Sequence, residues 1–108
     1  MVNYSTHFQR LEKYFHIIET QGKNQDGNIA EAAFQFWISL KEVIADFYNF
    51  DKIRLSDAQL SVVQAWINLV LSNHNIPKRI REQISNEAME FSAMAEKIRR
   101  SHEDIIRM

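Results

Sequence analysis

The chain has 108 residues, 45% hydrophobic and 25% charged, with a formal net charge of −1 at pH 7. That length suits one domain with a core that needs no staple, and the near-neutral balance excludes a broad electrostatic footprint for nucleic acid. The lack of cysteine excludes disulfides, thiolate chemistry and cysteine-based zinc sites.

Two glycines and one proline punctuate the whole chain, and both glycines fall in QGKNQDGN. The long stretches between these breaks read as helices, and none shows the sustained alternation of a strand. The first helix is expected over about residues 6–20. Thr6 and Gln9 have the spacing of a capping box. Tyr4, Phe8, Leu11, Phe15 and Ile18 make one apolar stripe.

The stretch GKNQDGNIAEAA follows. Asn24, Asp26, Gly27 and Ile29 fall where a calcium loop has two ligands, its turn glycine and an apolar residue. Gly22 and Ala33, however, occupy the first and last ligand positions, where oxygen donors are needed. It reads as a polar turn in which Asn28 caps the next helix and Glu31 closes the box.

The second helix is expected over 29–50. Its segment AFQFWISLKEVIADFYNF holds six of the chain's twelve aromatic side chains. Ile29, Ala33, Phe36, Leu40, Val43, Phe47 and Phe50 form a full seam. Ala30, Phe34, Trp37, Ile44 and Tyr48 form a second stripe beside it, interrupted by Lys41. Glu31, Gln35, Ser39, Glu42, Asp46 and Asn49 are left as a narrow polar strip. A bundle helix needs an apolar face of about three positions in seven, so this helix carries a surplus.

A third helix is expected over about 57–73, with Ser56 and Gln59 as its capping box and Leu60, Val63, Ile67 and Val70 as its seam. Val62, Trp66 and Leu69 flank that seam. The fourth is expected from Pro77, which suits a first helical turn, to 107. Its seam is Ile84, Ala88, Phe91, Ala95, Ile98, His102 and Ile105. At 1.5 Å per residue it would reach roughly 45 Å and overhang its neighbours, carrying Ile98, Ile105 and Ile106 beyond them. Short connections between long amphipathic helices predict an all-α antiparallel bundle of about four helices, with a long C-terminal helix.

Chemistry is sparse. His7, His16, His74 and His102 form no Glu-x-x-His or His-Glu-x-x-His motif. No metal site, cofactor or catalytic constellation is expected, and the chain reads as a non-enzyme. It also has no run near the roughly 18 apolar residues of a membrane span and no basic-then-apolar signal at MVNYSTHFQRLEKYF. A cytoplasmic setting with no membrane partner is expected.

Two basic clusters, Lys78, Arg79 and Arg81, and Lys97, Arg99 and Arg100, could touch phosphates, but Glu82, Glu87, Glu90 and Glu96 interleave with them as on a solvated helix face. Arg10 and His16 make an Arg-x5-His pair. It is similar to the Arg-x4–6-His motif of HEPN ribonuclease bundles. That resemblance implies an arginine that holds phosphate and a histidine that transfers a proton, in a dimer that brings two pairs together. It covers two residues, and Leu11 stands where the family favours a polar residue. The leading expectation is a protein–protein interaction module, a small regulator, inhibitor or adaptor. It would bury an apolar face on another protein or on a second copy, through Phe34, Trp37, Ile44 and Tyr48 and through Ile98, Ile105 and Ile106.

Overall fold

The computed structural model describes residues 5–24, 29–50 and 55–107, with side chains over 6–20, 29–49 and 55–101. Four helices follow one another: α1 (Ser5–Asn24), α2 (Ile29–Phe50), α3 (Asp57–Leu71) and α4 (Lys78–Arg107). No strand occurs among the described residues. The all-α bundle with a long last helix is therefore the observed architecture.

The ends differ from expectation by a few residues. α1 begins at Ser5, so Thr6 lies inside its first turn, and it continues through Gly22 to Asn24. A glycine in a helix costs only about 1 kcal/mol, too little to end one alone. Asn28 and the turn residues 25–28, including the calcium-like positions Asp26 and Gly27, lie outside the described residues. The box at α3 forms as expected: the Ser56 Oγ accepts from the Gln59 N–H at 3.1 Å, and the Gln59 side chain accepts from the Ser56 N–H at 3.0 Å. α3 ends two residues short of 73, where the Asn73 N–H donates to the Val70 carbonyl at 3.1 Å and the chain turns. Pro77 sits just before α4, its carbonyl accepting from Ile80 and Arg81.

The helices close into a ring in which α1 packs on α2, α2 on α4, α4 on α3 and α3 on α1. Side-chain pairs give the directions. His7 meets Asp46 while Arg10 meets Glu42, so α1 and α2 run antiparallel. Arg99 meets Ser61, so the start of α3 lies beside the far part of α4, the antiparallel order again. Trp66 packs against Phe8 and Phe15, at 5.1 and 5.3 Å between ring centroids, and Lys97 lies over Tyr48. The pairs α1–α3 and α2–α4 are therefore parallel neighbours. Consecutive helices alternate in direction, but α2 and α3 occupy diagonal corners. Leu55, just before α3, is buried.

One core fills the ring. It joins Leu11, Phe15 and Ile18 of α1 with Ala33, Phe36, Leu40 and Val43 of the α2 seam, the whole α3 seam, and Ile84, Phe91, Met94, Ala95 and Ile98 of α4, while Ile29 and Phe47 pack partly buried against it and the side chain of Phe50 lies outside the described residues. Ile76 plugs the α3–α4 corner. There the Asn73 side-chain carbonyl accepts from the Asn75 N–H at 2.9 Å, and the Arg81 Nε donates to the Ile76 carbonyl at 3.0 Å. Among the described side chains, the seams at 3-4 spacing face inward, fully or partly buried.

Candidate interaction surface

α2 has a polar strip on one flank and the second apolar stripe on the other, and its two neighbours take one flank each. The strip lies against α1, where Glu42 pairs with Arg10, and Asp46 accepts from or pairs with the His7 Nε2 at 2.8 Å. Ser39, part of the polar strip, is buried on this side. Its small side chain suits a close approach of two helices. The opposite flank lies against α4, as the Tyr48–Lys97 contact shows.

That placement corrects part of the expected surface. Ile44 is only 8% exposed, one turn before Tyr48 on the flank that meets α4. Ile98 is 7% exposed, held between the end of α2 and the start of α3, and so does not project beyond the bundle. Neither is available to a partner in this fold. The side chains of Ile105 and Ile106 lie outside the described residues, as does that of His102.

What remains open is the outer edge of the stripe. Phe34 is 38% exposed and Tyr48 45% exposed, with Trp37 and Ile38 half-buried between them. Phe34 and Trp37 are in tilted contact at 5.6 Å. The Lys41 ammonium lies 4.5 Å from the Trp37 ring centre, and the Lys97 ammonium 4.9 Å from that of Tyr48. Such cation–π contacts are worth about 0.5–1 kcal/mol at exposed sites. The indole Nε1 of Trp37 is buried without a hydrogen-bond partner. The ridge is thus aromatic with a basic edge.

The basic residues of α4 do not converge. Arg99 donates to Ser61 and Gln64, Arg100 pairs with Glu96 one turn back, and Arg81 is tied to the Ile76 carbonyl. Lys78 and Arg79 are exposed at the start of the helix, roughly 28 Å along its axis from Lys97 and Arg99. Arg10 is engaged by Glu42, and His16 is exposed about 120° further round α1, so the pair does not share one face. Among the described residues no three of His, Cys, Asp or Glu gather as metal ligands, and no helix is long and apolar enough to cross a membrane.

Val62 and Leu69, expected to flank the α3 seam, lie instead on a face of their own. On α3, Ala58, Val62, Ala65 and Leu69 are all exposed, with Val62 at 39% and Leu69 at 57%. They recur at 4-3-4 spacing, a second seam on the side of α3 that faces away from the core. The two large residues were legible beside the seam, but Ala58 and Ala65, which complete the row, register weakly as apolar residues.

Compared with known proteins, the chain matches no family model, no curated protein and no solved structure. Function must be argued from these surfaces.

Proposed function

We propose that the chain is a non-enzymatic helical interaction module, a small regulator, inhibitor or adaptor, that docks a partner protein on the outer ridge of α2. The observation that carries this reading is the row Phe34, Trp37 and Tyr48, exposed or half-exposed along one helix with a lysine over two of its rings. Large aromatic side chains contribute most of the energy in such contacts. Lys41 and Lys97 favour a partner segment that brings apolar side chains bordered by carboxylates. The dispersal of the basic residues of α4 and the engagement of Arg10 support this reading over a nucleic-acid binder or a HEPN-like ribonuclease. The ridge suits a cytoplasmic protein as well as any other.

The test is a side-by-side capture from extract of the source cell. Wild type and a Phe34→Ser/Tyr48→Ser variant serve as baits, with circular dichroism to confirm that both are folded. A protein retained by wild type and lost by the folded variant is the expected result. Identical captures by the two baits would sink the proposal. Cleavage of RNA by clean wild-type protein, abolished in His16→Ala, would replace it with the nuclease reading.

A further inference from the structure

We infer that the cleft between the later part of α1 and the end of α3 binds a small organic cation, an ammonium group carried on an aromatic or branched aliphatic body. The space, its walls and its charge each come from named residues, and none of them belongs to the α2 ridge.

The space follows from a change of side-chain size along two parallel helices. Trp66 of α3 packs between Phe8 and Phe15 of α1, at 5.1 and 5.3 Å between ring centroids. Three rings hold the two helices apart there. One turn further on, α1 brings Ile18 and Glu19, and α3 brings Leu69 and Val70. No ring continues the wedge, and a cleft of about 300 Å³ opens between them. Phe15, Ile18 and Val70 line it from the core, while Glu19, Leu69 and Asn73 stand at its mouth. Leu69, 57% exposed, offers the apolar side of a ligand a wall that the fold itself leaves uncovered.

The charge at the mouth is negative. Glu19 is the one charged residue that lines the cleft, and it forms no ion pair or hydrogen bond among the described residues. The C-terminal end of α3 adds to it. The last turn of a helix carries partial negative charge on its unpaired carbonyls, which a basic side chain ordinarily offsets, and α3 has no basic residue there. Arg81, at the same end of the bundle, is held by the Ile76 carbonyl and does not line the cleft. An anion in this position would be repelled by Glu19 and by the helix end. A wholly apolar ligand would strip water from the carboxylate and return nothing to it. An ammonium group beside Glu19, with its carbon body on Phe15, Val70 and Leu69, satisfies both halves of the site.

The cleft lies at the lower limit of the roughly 300–1,000 Å³ of small-molecule sites, so it suits a single ring or a short branched chain. Its mouth is open to water, and an exposed ion pair contributes little. Binding is accordingly weak, with Kd roughly millimolar. The α1–α3 side lies across the bundle from the α2–α4 side, so the cation and a protein on the α2 ridge do not compete.

Amide NMR shifts of nitrogen-labelled protein test the inference, with phenethylammonium chloride as the probe. Phenethyl alcohol and hydrocinnamate serve as its neutral and anionic counterparts. The amine is expected to give saturable shifts centred on Ile18, Glu19, Leu69, Val70 and Asn73. The alcohol is expected to bind about tenfold more weakly, and the carboxylate not to saturate. Glu19→Gln, a change at an exposed site, is expected to weaken the amine about threefold or more and to leave the alcohol unchanged. Leu69→Ala is expected to weaken amine and alcohol alike. The inference is overturned by an amine that fails to saturate wild type, by shifts centred elsewhere, or by an alcohol or carboxylate that binds wild type as well as the amine does. An amine that binds Glu19→Gln as tightly as wild type overturns it too. The comparison of the three probes on wild type needs no variant to fold, and none of these outcomes bears on the α2 ridge.

Discussion

α2 and α3 are both apolar well beyond one face, yet the bundle treats the excess differently. On α2 the second stripe turns toward α4, as the Tyr48–Lys97 contact shows, with Ile44 buried and Trp37 half-buried, and the polar strip turns toward the ion-pairing residues of α1. Much of the surplus is consumed inside the chain, and the aromatic edge that remains has lysines laid over two rings. On α3 the flanks next to α1 and α4 carry Gln59, Gln64 and Trp66, and the excess falls on the face directed away from the core. An apolar count therefore does not measure exposed surface. The angle between a second stripe and the first decides whether a neighbour can reach it.

The comparison can be broken most forcefully in the core of α2. Phe36 is fully buried, and Phe36→Ala should cost about 3–5 kcal/mol in chemical denaturation. Ile44→Ala should cost about 2–5 kcal/mol, because that side chain is buried. A loss below about 0.5 kcal/mol would mean that Ile44 lies on the surface after all and that the stripe turns outward.

α3 gives the next largest effect. Its fifteen residues form only about four turns, too few for an isolated helix to be stable in water. The capping box supplies two of the orphan donors at its start. Ser56→Ala should cost about 1 kcal/mol. An effect within error would show that packing of Leu60 and Val63 holds that end without the cap.

These differences mark what the sequence could disclose. The inward seams were legible because 3-4 spacing makes one face regardless of which helix covers it. Leu60, Val63, Ile67 and Val70 all went where that spacing sends them. The Ser56–Gln59 box was legible because it is a local interaction. The order of helices around the ring was not, since periodicity carries no information about which neighbour meets which flank. That gap misplaced Ile44 and Ile98, both of which are buried. It also concealed the outer seam of α3, where Ala58 and Ala65 matter only once their exposure is known.

The smallest expected effect bears most directly on the α2 ridge. The half-buried Trp37 carries an indole N–H that is buried without an acceptor. An orphaned buried donor costs about 1–3 kcal/mol. Trp37→Phe removes that cost while giving up part of the ring area and some of the attraction to Lys41. The two changes oppose each other, so unfolding free energy should move by less than about 1 kcal/mol in either direction. Partner capture through Phe34 and Tyr48 should persist, weakened by the loss of contact area at the centre of the ridge. A destabilisation above about 2 kcal/mol would require a partner for the indole N–H inside the folded chain. Trp37 would then be a core residue, and the exposed aromatic surface of α2 would shrink to Phe34 and Tyr48, fourteen residues and about 21 Å apart, too widely spaced to act as one anchor.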